Sequence, residues 1–349
     1  MVELAEDELW NLGKVWALVF ASLTYCYVVG KLTPKGFTRL VAILPVIALF
    51  LVLPLKLTSI FFCGLTAFFI SWLANFKLLL FAFGKPPLWL NAPLPFHHFL
   101  AVASFPINMH SGHNNNNNNK NILVYFPWNY IVKGAIVILL SWILYGYNDY
   151  IHLNVLLIIY IVLVQFNLEV ILACVAGLTR FFLALELKPQ FKDPLSSNSI
   201  QDFWGKRWNL MATDILRPTV YQPSRVLFTK IIGQKMALYP AVMTTFMVSA
   251  IVHEVIFFHL GRTTPTFEIT WYFLGHGLFL CLEIAAKKHF AGKWEVPCWF
   301  SRLVTLSFIV VTSVMFFIPP LLRIGSYSRM LKEYAAVYSF LRSTSQVLW

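Results

Sequence analysis

One ionisable pair lies deep inside an apolar stretch of the chain. The stretch Ala237–Leu260 reads ALYPAVMTTFMVSAIVHEVIFFHL and carries His253 and Glu254 toward its far end. His253 lies roughly 24 Å from Ala237 if the stretch is a helix that rises about 1.5 Å per residue. A neutral imidazole can take a proton from a hydroxyl. His253 is therefore either a general base or a histidine that hydrogen-bonds between membrane helices.

Glu254 points about 100° away from its neighbour around a helix. We expect it to pair with a basic group or to orient a neighbouring residue. A zinc protease site would need the pattern His-Glu-x-x-His, with its histidines one turn apart. Here the next histidine is His259, and position 257 is Phe257. The spacing therefore disfavours a metal site, and we expect no metal.

A polar, tryptophan-rich segment precedes this stretch. Residues 199–218 read SIQDFWGKRWNLMATDILRP. Tryptophan is common at the membrane–water interface, so one interpretation is a helix on the membrane surface. The other is a reaction centre, in which the amide of Asn209 donates to a developing oxyanion and cations meet phosphates. The candidate substrate-binding residues are Asp202, Trp204, Lys206, Arg207, Trp208 and Arg217.

A further histidine, His276, lies between Gly275 and Gly277 in the next apolar block. Small flanking residues allow two membrane helices to approach closely. His276 is therefore either a second histidine of the site or, as we favour, a packed histidine at a helix contact.

The composition is that of a membrane protein. Of 349 residues, 58% are hydrophobic and 12% are charged, whereas soluble domains carry about 25% charged residues. The net charge is +12, but the basic residues fall in loops between apolar blocks. Orientation in the bilayer explains that charge better than nucleic acid does. A second use of the charge is binding an anionic cosubstrate at the cytosolic face.

The apolar blocks predict an all-α, multi-pass protein of about eight spans, folded as a single domain (1–349) with a buried reaction chamber. Each block approaches the length of a spanning helix. The predicted spans are 10–30, 39–55, 57–76, 129–147, 153–187, 237–260, 267–287 and 303–322. Block 153–187 is long enough for one tilted helix or two shorter ones. Pro45 and Pro54 predict a kink or a partial span in block 39–55.

The loops around these spans differ in charge. The basic loops follow the first, fifth and seventh spans, so we expect them to face the cytosol. The fifth-to-sixth connection, 188–236, is predicted to be a cytosolic or interfacial loop. The basic C-terminal tail is either an interfacial helix or a ninth short span. Residues 112–121 include six consecutive asparagines, and such a polar tract is expected to be a disordered loop.

Several segments resemble the membrane-bound O-acyltransferase family, and within it the plant wax synthase branch. They are QDFWGKRWN (Gln201–Asn209), ILRPTVY (Ile215–Tyr221), IVHEVIFF (Ile251–Phe258), WLANFKLLLFAFG (Trp72–Gly84), ELKPQF (Glu186–Phe191) and EYAAVYSF (Glu333–Phe340). Close relatives in that branch include plant acyl-CoA–sterol acyltransferases. The resemblance implies that His253 is the catalytic histidine and that Asn209 is its polar partner.

The resemblance also implies an activity and a location. We expect an endoplasmic reticulum enzyme that transfers a fatty acyl group from acyl-CoA to a long-chain alcohol, with no cofactor besides that cosubstrate. A sterol acceptor is the alternative within the enzyme class. A transporter is the alternative outside it, since Glu169, Glu254 and Glu283 could form a proton relay with His253. A non-catalytic membrane scaffold is a third class.

Overall fold

A computed structural model describes residues 2–89, 94–107, 127–183, 188–290 and 297–347. Its regular elements within these ranges are all helical, as the sequence predicts. The predicted Asn-rich loop 112–121 lies outside the described residues. The α-helices are α1 Val2–Leu32, α2 Phe37–Val52, α3 Ile60–Thr66, α4 Asn75–Ala82, α5 Phe96–Ser104, α6 Pro127–Tyr147, α7 Leu153–Leu183, α8 Ile200–Asp202, α9 Leu210–Leu216, α10 Gln222–Ile232, α11 Leu238–Gly261, α12 Glu268–His289, α13 Cys298–Thr312, α14 Ile318–Arg323 and α15 Ser326–Val347.

Eight described helical stretches are long and apolar enough to cross a membrane, which confirms the predicted number. They are Asp7–Leu32, Phe37–Lys56, Ile60–Ala82, Asn129–Tyr147, Leu153–Phe182, Leu238–Gly261, Glu268–His289 and Cys298–Arg323. The long fifth block forms one helix, α7, rather than two. The C-terminal tail forms α15, which is not among the eight.

Four described stretches are π-helical, and two of them contain predicted substrate-binding residues. They are Ala67–Ala74, Phe203–Arg207, Arg217–Tyr221 and Ser313–Phe317. The π-helical turn is rare and often occurs at functional sites. Segment 188–236, predicted as a loop, contains two of these stretches together with α8, α9 and α10.

The chain forms two compact units, and each is discontinuous in sequence. Unit 1 contains Met1–Phe105, Asp214–Leu282 and Pro319–Trp349. Unit 2 contains Pro106–Thr213 and Glu283–Ile318. His253 therefore belongs to unit 1, and Asn209 belongs to unit 2.

In unit 1, a proline near the end of α2 creates hydrogen-bond acceptors for other helices. Pro54 has no N–H, so the carbonyl of Phe50, four residues earlier, lacks its usual partner. Ser71 Oγ donates to that carbonyl at 2.7 Å. The next carbonyl, that of Leu51, lies 2.8 Å from His259 Nε2. At Pro54 the helix gives way to a short 3₁₀ turn, Leu53–Lys56, and other elements of unit 1 bind carbonyls of the last turn of α2 just before it.

The amino end of α3 is capped by two carboxylates from distant parts of the sequence. Glu8 accepts from the backbone N–H groups of Thr58 and Ser59 at 2.7 Å each. Glu333 accepts from Ile60 N at 2.6 Å and from Ser59 Oγ at 2.9 Å. The first N–H groups of a helix have no partner within the helix and favour negative charge. Glu333 therefore joins α15 to the start of α3.

Two buried cations of unit 1 bind carbonyl oxygens at helix ends. Arg39 Nη2 donates to Gly30 O at 2.9 Å and to Thr33 O at 2.7 Å, at the end of α1. Lys77 Nζ donates to Val102 O and Phe105 O at 2.6 Å each, at the end of α5. Carbonyls at a helix C-terminus carry partial negative charge. Both cations are therefore balanced in part by helix ends.

In unit 2, α6 and α7 pair through a buried carboxylate. Glu169, which is 2% exposed, forms an ion pair with Lys133. Gln165 Nε2 also donates to Glu169 at 3.0 Å. A charge inside the membrane is tolerated when it is paired. The pair therefore holds the two helices of this hairpin in register.

Candidate active site

His253 lies in α11, and the backbone of its own helix determines how its ring is protonated. Its Nδ1 is 2.7 Å from the carbonyl oxygen of Ser249. A carbonyl oxygen only accepts, so Nδ1 carries the proton and donates. In the neutral ring, Nε2 then carries the lone pair. This is the tautomer that a general base requires.

Aromatic rings surround His253 within unit 1. The ring of Phe273, on α12, lies 4.3 Å from it, centroid to centroid, at an interplanar angle of 37°. The ring of Trp72, in the π-helical stretch between α3 and α4, lies 6.5 Å away at 44°. His253 as a residue is of intermediate exposure. Rings from two other helical stretches thus restrict the orientation of the imidazole.

Glu254 orients a neighbouring helix, which is one of the two roles predicted for it. Its Oε1 accepts from the backbone N–H of Thr270 at 3.1 Å and from Thr270 Oγ1 at 2.9 Å. Thr270 lies in the first turn of α12, where N–H groups lack helical partners. Phe273 follows one turn later. Glu254 therefore fixes the start of the helix that brings Phe273 against His253.

His276 lies in a tight helix contact. It is 0% exposed, and its ring lies 4.3 Å from that of Tyr272. A Cβ added at Gly277 would come within 3.0 Å of Phe246 on α11, whereas one added at Gly275 would meet nothing within 4 Å. The helix-contact interpretation of His276 therefore fits, and of the two glycines only Gly277 is needed for the close approach.

His259, the histidine considered above as a metal ligand, has both ring nitrogens next to backbone carbonyl oxygens. Its Nδ1 lies 2.6 Å from Val255 O and its Nε2 lies 2.8 Å from Leu51 O. Among the described residues, no three His, Cys, Asp or Glu side chains are grouped as a metal site would require. His259 therefore joins α11 to the end of α2.

The tryptophan-rich segment lies in unit 2 and is built on stacked rings. Trp208 stacks on Phe203 at 5.3 Å and 17°, and it meets the edge of Phe191 at 5.4 Å. Trp204 contacts Phe203 at 5.1 Å. Ser199 caps the first turn, because its Oγ accepts from Asp202 N at 3.0 Å. The aromatic side chains thus form a rigid support immediately before Asn209.

Among the predicted substrate-binding residues of this segment, two bind each other. Arg207 Nε donates to Asp202 at 2.6 Å. Burial raises the pKa of Asp202. The hydrogen bonds from Arg207 and Asn198 and the charges of Arg207 and Lys206 lower it by more than burial raises it, so the pKa lies below its ordinary value. The ion pair therefore stabilises the segment at neutral pH, and its contribution is lost as the pH falls through that lowered pKa.

The remaining predicted cations are more available. Lys206 is exposed in unit 2, and Arg217 is exposed in unit 1. Arg207 also donates to the carbonyl of Asp193 at 3.2 Å. Each of these exposed cations, taken within its own unit, suits contact with an anionic group, whereas Arg207 is held by contacts within its own loop.

Asn209 has a positive φ angle, and the two polar atoms of its side chain differ in their contacts. Its φ is +37°, in the left-handed region that asparagine tolerates better than most residues. Its Oδ1 accepts from Ala212 N at 3.2 Å and so caps α9. Asn209 as a residue is 8% exposed, and no described residue accepts a hydrogen bond from its Nδ2. The amide N–H group is therefore the part of Asn209 that can serve a substrate.

The structure assigns contacts to the three carboxylates of the transporter alternative. Glu254 binds Thr270, Glu169 binds Lys133, and Glu283 accepts from Ile200 N at 2.7 Å. Each of these contacts joins two structural elements. They explain the carboxylates as packing groups without a proton relay.

Sequence reasoning overlooked two aromatic residues that line the site. Trp72 opens the segment Trp72–Gly84, which carried part of the family resemblance, so a signal was present. Phe273 had none, because an isolated phenylalanine in an apolar helix is ordinary. Both were found only through their contacts with His253.

Comparison with known proteins agrees with the predicted resemblance. Residues 187–275, which include both Asn209 and His253, match the sequence model of the membrane bound O-acyl transferase family. An Arabidopsis thaliana protein named acyl-CoA–sterol O-acyltransferase 1 is 42% identical, over 94% of this chain and 95% of its own length.

Relatives named for a different acceptor are similar to nearly the same degree. Probable long-chain-alcohol O-fatty-acyltransferase 3 of Arabidopsis thaliana is 40% identical, over 97% of both chains. The long-chain-alcohol O-fatty-acyltransferase of Simmondsia chinensis is 36% identical, over 96% of both chains. With eight candidate spans and similarity along almost its whole length, the chain is a multi-pass membrane protein that belongs to the membrane-bound O-acyltransferase family.

Proposed function

We propose that this protein transfers a fatty acyl group from long-chain acyl-CoA to the hydroxyl of a long-chain alcohol, which yields a wax ester and free CoA. The observation that carries this proposal is the similarity, along nearly the whole chain, to proteins named long-chain-alcohol O-fatty-acyltransferases. The proton state assigned to His253 supports it, because the reaction needs a base inside the membrane.

In the proposed mechanism, His253 Nε2 takes the proton of the alcohol hydroxyl. The alcohol oxygen then attacks the thioester carbon, and the C–O bond forms. As the C–S bond breaks, the proton on His253 passes to the CoA sulfur. Asn209 is proposed to donate its amide N–H to the thioester oxygen. Direct transfer predicts sequential kinetics, whereas ping-pong kinetics with a trapped acyl-enzyme would contradict it.

The CoA end of the donor is anionic, and we propose that the exposed cations Lys206 and Arg217 meet its phosphates. Surface cations of this kind attract an anionic cosubstrate from the cytosol. The acyl-CoA would thus enter from the cytosolic side, and the alcohol would enter laterally from the lipid. The buried reaction chamber that this requires stays a prediction. We also propose that the enzyme resides in the endoplasmic reticulum membrane, which cofractionation with a marker of that membrane would test.

A sterol is the second candidate acceptor. The Arabidopsis thaliana relative at 42% identity is named for a sterol, and its similarity is close to that of the fatty-alcohol group. The chemistry at His253 would be the same for either hydroxyl. A linear alcohol needs a narrow channel, whereas a sterol needs a wider lateral opening.

The test is a product profile. The chain is expressed in yeast that lacks neutral-lipid synthesis, and membranes receive acyl-CoA with equal amounts of fatty alcohol and sterol. Mass spectrometry then resolves the esters. Wax esters as the main product are expected. Steryl esters would move the acceptor to sterol and keep the mechanism, and no new ester despite good expression would contradict the proposal.

A further inference from the structure

One buried polar group beside His253 has no described partner. The Trp72 side chain is 3% exposed, and its Nε1 makes no hydrogen bond to any described residue. Buried polar groups in native proteins are nearly always paired, so each exception needs an explanation. Indole N–H only donates, which means that the missing partner must be an acceptor.

The surrounding contacts hold Trp72 firmly in place. Its neighbour Ser71 donates to Phe50 O at 2.7 Å, and Asn75, one turn later, donates to Ile47 O at 3.1 Å. Both carbonyls belong to α2. The ring of Trp72 also meets the ring of Phe68 at 5.2 Å. A loosely packed tryptophan would turn to find an acceptor, but this one is fixed where the described residues offer none.

The backbone around Trp72 departs from an ordinary helix. Trp72 lies in the π-helical stretch Ala67–Ala74, within a span that is otherwise α-helical. Such insertions shift the direction of the side chains that follow and often occur at functional sites. Here the insertion helps to place the indole 6.5 Å from the imidazole of His253, centroid to centroid.

We propose that Trp72 Nε1 donates a hydrogen bond to the oxygen of the acceptor hydroxyl while that hydroxyl donates to His253 Nε2. This inference rests on the proposed transfer to a hydroxyl. The hydroxyl is the only polar group of a long-chain alcohol, so it is the only group that the protein can orient by hydrogen bonds. A donor and a base on either side of the oxygen would orient it for attack. The same N–H stabilises the negative charge that grows on the oxygen as the proton leaves.

In this proposal, each of two hydrogen-bond donors of the protein serves a different substrate. Asn209 is proposed to serve the thioester oxygen, whereas Trp72 serves the alcohol oxygen. Loss of Trp72 should therefore lower kcat/KM for the alcohol and leave the KM for acyl-CoA nearly unchanged. A sulfur analogue of the alcohol accepts hydrogen bonds weakly. It should gain little from Trp72 in the wild type and so lose little without it.

The test compares the wild type, Trp72→Phe and Trp89→Phe in membranes at matched protein level. Phenylalanine keeps an aromatic ring and removes the N–H. Trp89 is the control, because its Nε1 is also buried without a described partner but its ring packs on Phe81 and Arg39. The substrates are the alcohol that the wild type esterifies and the thiol analogue of that alcohol.

For Trp72→Phe, we expect kcat/KM for the alcohol to fall about tenfold to a hundredfold, as for loss of a hydrogen bond to a charged oxygen. The value for the thiol should fall less than about threefold, and KM for acyl-CoA should hold. Trp89→Phe should match the wild type. Equal losses for alcohol and thiol would reduce Trp72 to a packing residue, and no loss would overturn the inference directly. A wild type that esterifies no alcohol would instead refute the proposed function.

Discussion

The carboxylate of Glu254 accepts two hydrogen bonds from Thr270, one from the backbone N–H at 3.1 Å and one from Oγ1 at 2.9 Å. This contact joins the residue next to His253 to the first turn of α12. One turn further, Phe273 packs on the His253 ring at 4.3 Å. The orientation of the proposed base therefore depends on a contact made by its neighbour.

Replacing Glu254 should reduce activity through this contact. In Glu254→Ala, Thr270 loses its acceptor and α12 can shift, so we expect kcat to fall about tenfold to a hundredfold, since displacements near 1 Å have such effects. Glu254→Gln keeps an acceptor oxygen and should stay within about threefold of the wild type. Ester formation at matched protein level checks both variants. Wild-type activity in Glu254→Ala would show that the contact does not position the base.

The two glycines beside His276 form a matched pair. Gly277→Ala places a methyl group within 3.0 Å of Phe246, so we expect a loss of about 1–3 kcal/mol in stability from overpacking. Gly275→Ala meets nothing within 4 Å, and alanine favours the helix by up to about 1 kcal/mol. Thermal unfolding in detergent measures the difference. Equal destabilisation by both variants would contradict the helix contact.

Asn209 has two functional groups that a pair of variants can separate. Asn209→Asp keeps the acceptor that caps α9 and tolerates the left-handed backbone, but it loses the amide N–H. If that N–H serves the oxyanion, both Asn209→Asp and Asn209→Ala should lower kcat about 10²- to 10³-fold. Activity assays with a protein-level control decide the matter. Recovery of activity in Asn209→Asp would assign Asn209 to capping alone.

Most of the fold could be predicted from the sequence, because length and apolar composition determine a membrane span. The eight blocks follow from that rule, whereas the rule left block 153–187 open between one tilted helix and two shorter ones, and the structure shows the single helix α7. The paired carboxylates at the start of α3 could not be predicted, since Glu8 and Glu333 are 325 positions apart and local pattern carries no information on such contacts. The same holds for the Phe273 ring on His253.

The candidate site shows the same division. His253 and Asn209 could be selected because a polar residue is costly in an apolar setting and because their segments resemble a known family. The function of Arg207 could not be predicted. Its side chain was expected to meet phosphate, but a carboxylate five residues earlier, that of Asp202, binds it at 2.6 Å. Trp72 lies in a segment that carried the resemblance, but nothing in the sequence of an apolar span indicates that an indole N–H lacks a hydrogen-bond partner, so its role was overlooked.

Replacing Lys206 should change the KM for acyl-CoA and leave the other kinetic constants nearly unchanged. It is exposed, and Lys206→Gln removes one cation without breaking the Asp202–Arg207 pair. We expect KM for acyl-CoA to rise severalfold, with kcat nearly unchanged and with a smaller effect at high salt. Lys332→Gln, which removes an exposed cation from α15, is the control and should match the wild type. A change confined to alcohol preference would contradict the assignment of CoA to this segment.

The most direct measurement is ester formation by His253→Ala against the wild type in the same yeast membranes, with protein quantified in each sample. His152→Ala, which removes an exposed histidine at the start of α7, is the control. The account predicts normal protein levels and a loss of about 10²- to 10⁴-fold in rate for His253→Ala, the range for a lost general base. Wild-type turnover in that variant would contradict the central claim.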